Sequence, residues 1–273
     1  MSQFQRRFEN GSKLIEFLTM LTKRIVLLFL GLFLLLSPIA HASDMPFEPG
    51  ETLQFLLRWE FVPAGKATLT VAPISEIDGE PAYHFILSVK TNKFLDMFYK
   101  VRDKIESFTD TSMTHSVRYH KNQREGRRKR NATVTFDWKN NQAQYTRDNK
   151  TRVPVDLEPG AFDPLGIFYF VRNSCLETGV VVERPVSDGK KCVIGIGHVV
   201  KRETVTVPAG TFDTLLIEPD LKDVKGVFEK SDDSNILIWI TADSRHIPVK
   251  IESKVVIGSF MGELTEAHFP ESQ

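Results

Sequence analysis

The stretch Thr204–Pro219 (TVTVPAGTFDTLLIEP) constrains the fold more than any other. Apolar residues alternate through Val205 and Val207 and then run together through Leu215, Leu216 and Ile217, as in half-buried and fully buried strands. Between the two runs, Pro208 has the fixed φ suited to the second position of a turn, and Gly210 tolerates the positive φ that closes the reversal. The same letters, VPAG, stand at Val62–Gly65, between LQFLLRWEF and KATLTV. A β-hairpin corner is therefore the expected repeating unit.

The remaining patterns agree with antiparallel sheet. Leu53, Phe55 and Leu57 alternate with Gln54, Leu56 and Arg58, and Tyr83, Phe85, Leu87 and Val89 follow the turn Asp78-Gly79-Glu80-Pro81. A further hairpin with Glu125-Gly126 at its tip would place Arg124 opposite Arg127, Lys121 opposite Arg130, Tyr119 opposite Ala132 and Val117 opposite Val134. Another turns at Lys139-Asn140-Asn141, and Phe94–Tyr99 reads as one helical turn over a sheet edge. One clear helix is expected over about 163–173: Asp163 is a good N-cap, Pro164 suits the first helical position, and the face residues are apolar nearly all round. Strand patterns then run over Val180–Val186, Cys192–Val200, the VPAG hairpin, Gly226–Glu229, Ile236–Thr241, Pro248–Ile257 and Gly262–His268, with a bulge suggested by Gly195 and Gly197. The fold class is mainly β: a large curved antiparallel sheet, an open or closed barrel, wrapped around one short buried helix.

Residues 1–42 read as a signal peptide. Lys23 and Arg24 precede the apolar run Ile25–Leu36, which is short for a spanning helix, and Ala40-His41-Ala42 gives a small-x-small cleavage pattern. Cleavage after Ala42 would leave 43–273 as a single β-rich periplasmic domain; the alternative is an inner-membrane anchor formed by uncleaved Ile25–Leu36. A start at Met20 rather than Met1 would give a more compact leader. The leader holds five Lys/Arg and two Asp/Glu, so the 35 of each sign in the whole chain become 30 and 33 without it. A net charge of −3 excludes a general polyanion binder, and nucleic acid is not an expected partner.

Several segments together resemble a bacterial exported family catalogued as domain of unknown function 3108. They are Pro63-Ala64-Gly65-Lys66-Ala67, Phe98-Tyr99-Lys100-Val101-Arg102-Asp103, Asp163-Pro164-Leu165, Val207-Pro208-Ala209-Gly210-Thr211-Phe212-Asp213 and Ile247-Pro248-Val249. The resemblance implies an exported, mostly β protein, similar in fold to curved-sheet lipoprotein carriers of the envelope, and brings no catalytic residues with it. Gly166 departs from it, since Ser is expected after Asp-Pro-Leu.

Chemistry is sparse. Cys175 and Cys192, in an oxidising compartment, are most economically a disulfide contributing about 3 kcal/mol, with two separate buried thiols as the alternative. Lys121, Arg124, Arg127, Arg128, Lys129 and Arg130 form a basic ribbon suited to an anionic membrane surface, or else a solvated ribbon whose charges discourage edge pairing. His115 and His120, five apart on a strand, fall on opposite faces and cannot clip a metal within it; no metal or cofactor is expected. H-E-x-x-H and G-x-S-x-G are absent from the sequence, so no catalytic residues are assigned. Phe94, Phe98, Phe162, Phe168 and Phe170 either fill an ordinary core or line an apolar pocket between sheet and helix that takes an acyl chain. The leading expectation is a non-enzymatic envelope protein that binds or carries a hydrophobic or lipid-like ligand in a cavity of roughly 300 Å³ or more. The alternatives are a scaffold that binds a protein partner through exposed strands and, third, a hydrolase of envelope glycan or lipid.

Overall fold

The computed structural model describes residues 45–220, 235–254 and 259–270. The leader 1–42, the expected strand Gly226–Glu229 and the end of Pro248–Ile257 lie wholly or partly outside those residues. The described strands begin with β1 (Thr52–Trp59), β2 (Val62–Ile77) and β3 (Glu80–Thr91), followed by the short helix α1 (Lys93–Asp96). Next come β4 (Arg102–Asp110), β5 (Ser116–Glu125), β6 (Arg128–Asp137), β7 (Gln142–Arg147), β8 (Lys150–Thr151) and β9 (Val155–Asp156). Helix α2 (Gly166–Arg172) precedes β10 (Val181–Ser187), β11 (Cys192–Val207), β12 (Gly210–Asp220), β13 (Asn235–Thr241), β14 (Pro248–Lys254) and β15 (Ser259–His268).

All fifteen strands join one sheet in the order β10 to β15 and then β1 to β8, with β9 against β7. Every ladder is antiparallel, so consecutive strands pair as hairpins, and the one long-range join is β15 on β1. The sheet is curved and open. Phe162 forms a parallel bridge to Val186, donating its N–H to Pro185 and accepting from Ser187, while Ala161 accepts from the Ser116 amide. The segment after β9 thus links the first residue of β5 to the outer edge of β10.

Alternation decides which face is buried. Leu53 and Phe55 of β1, Leu69 and Val71 of β2, and Val134 and Phe136 of β6 all point to one large core. Tyr169 of α2 joins it, stacked on Phe85 with ring centroids 3.7 Å apart. Such a pair adds roughly 0.5–1.5 kcal/mol to plain burial. A smaller cluster of Leu176, Val199, Leu215, Ile217 and Ile240 lies under β11 to β13. Helix α2 is shorter than the span 163–173, and Asp163 still does the capping: its carboxylate accepts the Leu165 and Gly166 amides at 2.8 and 2.9 Å.

Three local expectations are corrected. At Val207–Gly210 the reversal is Pro208-Ala209, as the pattern indicated, but the earlier VPAG is not a corner. There the turn is Glu60-Phe61, two residues upstream, and Val62–Gly65 already lies in β2. Gly65 is needed because a Cβ would sit 2.2 Å from the Lys90 carbonyl oxygen. In the basic hairpin the tip is Gly126-Arg127, so Arg124 faces Lys129, Lys121 faces Ala132 and Tyr119 faces Val134. Gly126, with φ +58°, takes the first central position that a II′ turn reserves for glycine. Moving the tip by one residue shifts each pairing by two, so Tyr119, Ala132 and Val134 still share the core face. Val117 does not face Val134; it falls where the register slips between Ser116 and Arg118. The irregularity in β11 falls between Val199 and Lys201, not at Gly195 and Gly197.

Candidate functional site

The local sequence fixes α2 at both ends. At its start, Asp163 is fully buried, and its second carboxylate oxygen accepts Ser107 Oγ at 2.6 Å and Ser116 Oγ at 2.7 Å. These bonds tie the helix to β4 and β5. Burial pushes the Asp163 carboxyl above its ordinary pKa, against the pull of the four hydrogen bonds that favour its charged form. At its end, Arg172 is buried against Glu51, Pro46 and the Arg245 carbonyl, and the His246 Nδ1 donates to the Arg172 carbonyl at 2.7 Å.

Held in this way, α2 turns Tyr169 into the core and presents Ile167, Phe168 and Val171 to the other side, where they meet strands β10 to β13. The space left between them is a cavity of about 140 Å³. Its far wall is aliphatic, with Val182, Val186, Ile217, Ile238 and Ile240. The charged groups in contact with it are Arg172, Arg184 and Asp220. Arg172 is committed to Glu51, and the Arg184 guanidinium lies 4.5 Å from the centre of the Phe170 ring. An apolar cavity of about 150 Å³ in a protein stays dry and takes a benzene-sized group. This one suits a ring or the end of an acyl chain, and is smaller than the roughly 300 Å³ expected of a pocket for a whole lipid-like ligand.

The five phenylalanines do not converge. Phe168 lines the cavity, Phe162 is fully buried in the core, and Phe170 lies against Phe162 with centroids 5.0 Å apart. Phe94 and Phe98 are exposed on and just after α1, edge to face with each other. Sequence proximity to helical turns grouped them; the sheet separates them. Most of the cavity wall was missed because isolated valines and isoleucines on separate strands look like ordinary core, and only the register brings them together.

The six cations of the ribbon do not share a face either. Arg124 and Lys129 stand opposite each other on one side, while Lys121, Arg128 and Arg130 alternate onto the other and Arg127 occupies the tip. Lys121 is drawn in over the Tyr119 ring at 5.4 Å. Cys175 and Cys192 are free thiols and not a disulfide. Cys175 is exposed beyond α2, beside Leu176 of the smaller cluster, whereas Cys192 packs on the main core. Cys175 thus stands in solvent while Cys192 is partly buried.

One polar group on the outer face of β2 to β4 went unnoticed in the sequence. His84 Nε2 lies 3.0 Å from Glu106 Oε1, and its Nδ1 lies 3.4 Å from Ser75 Oγ. Burial lowers the His84 pKa in spite of Glu106. Glu106 is shared with Lys104. A base oriented by a carboxylate is present on this face.

Comparison with a solved structure of similar architecture supports the fold. A β-barrel-like protein of the DUF1849 domain of unknown function from Brucella abortus aligns with a TM-score of 0.53 at 9% identity, covering 82% of this chain and 99% of its own. The hypothetical protein CT021 from Chlamydia trachomatis aligns with a TM-score of 0.36 at 11% identity, covering 85% and 92%. No curated protein matches the chain. The model for proteins of unknown function DUF3108 matches residues 54–265, nearly the whole of the sheet. The chain belongs to the DUF3108 family.

Proposed function

We propose that this protein is a non-enzymatic binding protein for a hydrophobic, lipid-like component of the cell envelope, whose apolar end enters the cavity beside α2. The observation that carries the reading is the wall itself: Phe168 and Val171 on one side and Val182, Ile217 and Ile238 on the other border a space whose lining is almost wholly apolar. At about 140 Å³ it takes the end of a ligand whose remainder stays outside, which fits delivery better than storage. The cations around Arg124–Lys129 supply attraction to an anionic surface in this reading. Binding of a protein partner through bare strands has less support. The edge strand β8 has two residues, and the outer edge of β10 is met by Phe162 at Pro185 and Ser187.

Native mass spectrometry of protein purified from its own envelope fraction tests the proposal, with Gly197→Leu as the control. Gly197 lines the cavity, and a Cβ there meets only Ile217 Cγ2 at 3.6 Å, so the position has room for a side chain that extends into the space. Co-purified lipid on the wild type that is absent from Gly197→Leu supports the reading. Wild-type protein free of lipid, or equal loading of both, overturns it.

A further inference from the structure

One end of the sheet carries a patch of apolar side chains standing in water. Phe61 occupies the β1–β2 turn at 90% exposure, and Met97 and Phe98 follow α1 at 72% and 74%. Phe94, Tyr99 and Phe260 are also exposed. The register puts these on the same end. Trp59 pairs with both Val62 and Phe260, the Asn92 amide donates to the Ala64 carbonyl, and the Gly126 amide donates to the Lys100 carbonyl. Soluble surfaces rarely gather so many large apolar groups without a purpose.

These side chains are held in place. The Asn92 side chain caps the Leu95 amide at 2.9 Å and also donates to the Pro63 carbonyl. Asp96 accepts from Thr91 Oγ1 and from both terminal nitrogens of Arg102, which holds its carboxyl below the usual range. A loop this well tied could have turned its aromatic residues inward, yet it presents them outward.

Beside the patch, Lys66, Lys90 and Arg102 stand directly opposite one another across β2, β3 and β4. With Arg124 of β5 they border an open depression of about 320 Å³. Like charges facing each other across strands are destabilising. Of this row Arg102 is already paired with Asp96, and the other nearby carboxylates are committed elsewhere: Glu106 to Lys104, Asp103 to the Arg124 amide and Glu60 to the Ser259 amide. Among the described residues no ion pair reaches Lys66, Lys90 or Arg124. A row of repelling cations is stabilised by an external anion.

We infer that this end of the sheet docks on an anionic phospholipid bilayer. Phe61, Phe94, Met97 and Phe98 enter the boundary between headgroups and acyl chains, and Lys66, Lys90 and Arg124 receive lipid phosphates. Aromatic residues beside Lys and Arg are the chemistry of the membrane interface, which a protein partner matches less well than a phosphate-covered surface does. No described helix is long and apolar enough to cross a membrane. The inference extends the reading of the cationic hairpin given above and is independent of the cavity.

Co-sedimentation with phosphatidylcholine vesicles, with and without phosphatidylglycerol, tests it. Wild-type protein is expected to bind the phosphatidylglycerol vesicles and to release as salt is added. The double variant Phe61→Ser, Phe98→Ser is expected to lose that binding while keeping its denaturation midpoint, because both side chains are already in water. Lys66→Gln with Lys90→Gln is expected to weaken it roughly thirtyfold. Wild-type protein left in the supernatant overturns both this inference and the hairpin reading. Equal binding by wild type and the phenylalanine variant overturns the inference alone. The Gly197→Leu variant should bind vesicles as wild type does, which separates docking from ligand carriage.

Discussion

Arg172 grips Glu51 with two parallel hydrogen bonds across 121 residues of chain, Nη1 to Oε1 at 2.6 Å and Nη2 to Oε2 at 3.0 Å. Both residues are almost wholly buried, and the guanidinium also lies over the Phe47 and Tyr169 rings. Removing one partner leaves a buried charge unmatched, at a cost of roughly 3–5 kcal/mol, whereas replacing both with apolar groups is often nearly neutral. Arg172→Met should therefore lower stability in urea denaturation by about that amount. Adding Glu51→Leu should restore most of it. A single variant as stable as wild type would show that the pair does not anchor the helix.

Three residues before Arg172, the Tyr169 hydroxyl is buried without a hydrogen-bond partner among the described residues. Burial raises its pKa, and an unsatisfied buried hydroxyl costs roughly 1–3 kcal/mol. Tyr169→Phe keeps the stacked ring against Phe85 and removes the stranded group. It should gain about 1 kcal/mol in the same denaturation assay. A loss of stability would mean that the hydroxyl has a partner.

Asp163 predicts a pH dependence with a definite sign. Its folded pKa is raised above the ordinary value of 3.8, so between the two values the folded state holds more protons than the unfolded chain. Stability contributed by this group is then present at low pH and is lost as pH rises through that window. Asp163→Asn cannot ionise, so its stability relative to wild type should rise as pH is increased upward from about 4. Denaturation midpoints of both proteins against pH measure the difference. Parallel curves would show that the carboxyl titrates as in the unfolded chain.

The two thiols can be counted. Denatured protein should react with two equivalents of a thiol reagent in the absence of reductant, because Cys175 and Cys192 are both free. In native protein exposed Cys175 should react first, while burial raises the Cys192 pKa and slows it. Two thiols appearing only after reduction would restore the disulfide.

Strands were legible because alternation is a local signal: the periods at Leu53–Leu57 and Tyr83–Val89 survive in β1 and β3. The Asp163-Pro164 start of α2 was equally local. Sites were less legible because register makes them. Lys66, Lys90 and Arg102 are unremarkable at their separations in sequence, and only the ladders set them side by side. Phe168 and Ile238 share a cavity for the same reason. The Cys175–Cys192 pairing failed because closeness along the chain does not say which residue faces solvent and which packs on the core.

Gly166, where the resemblance led us to expect Ser, is explained by its neighbours. A Cβ there would stand 2.8 Å from Ser116 Oγ and 3.0 Å from both Asp163 Oδ2 and Thr109 Cγ2. In an ordinary helix Gly→Ala gains about 1 kcal/mol; here the added atom collides with the hydroxyl that holds Asp163. Gly166→Ala should therefore destabilise by roughly 1–3 kcal/mol. Deleting the obstacle should reverse the sign of the effect. In a Ser116→Ala background, Gly166→Ser should restore stability, because its own hydroxyl fills the vacated place beside the Asp163 carboxylate. Four proteins in urea give a double-mutant cycle, with an expected coupling of about 0.5–3 kcal/mol. Additive effects would mean that residues 116 and 166 do not compete for one position, and the glycine would need another explanation.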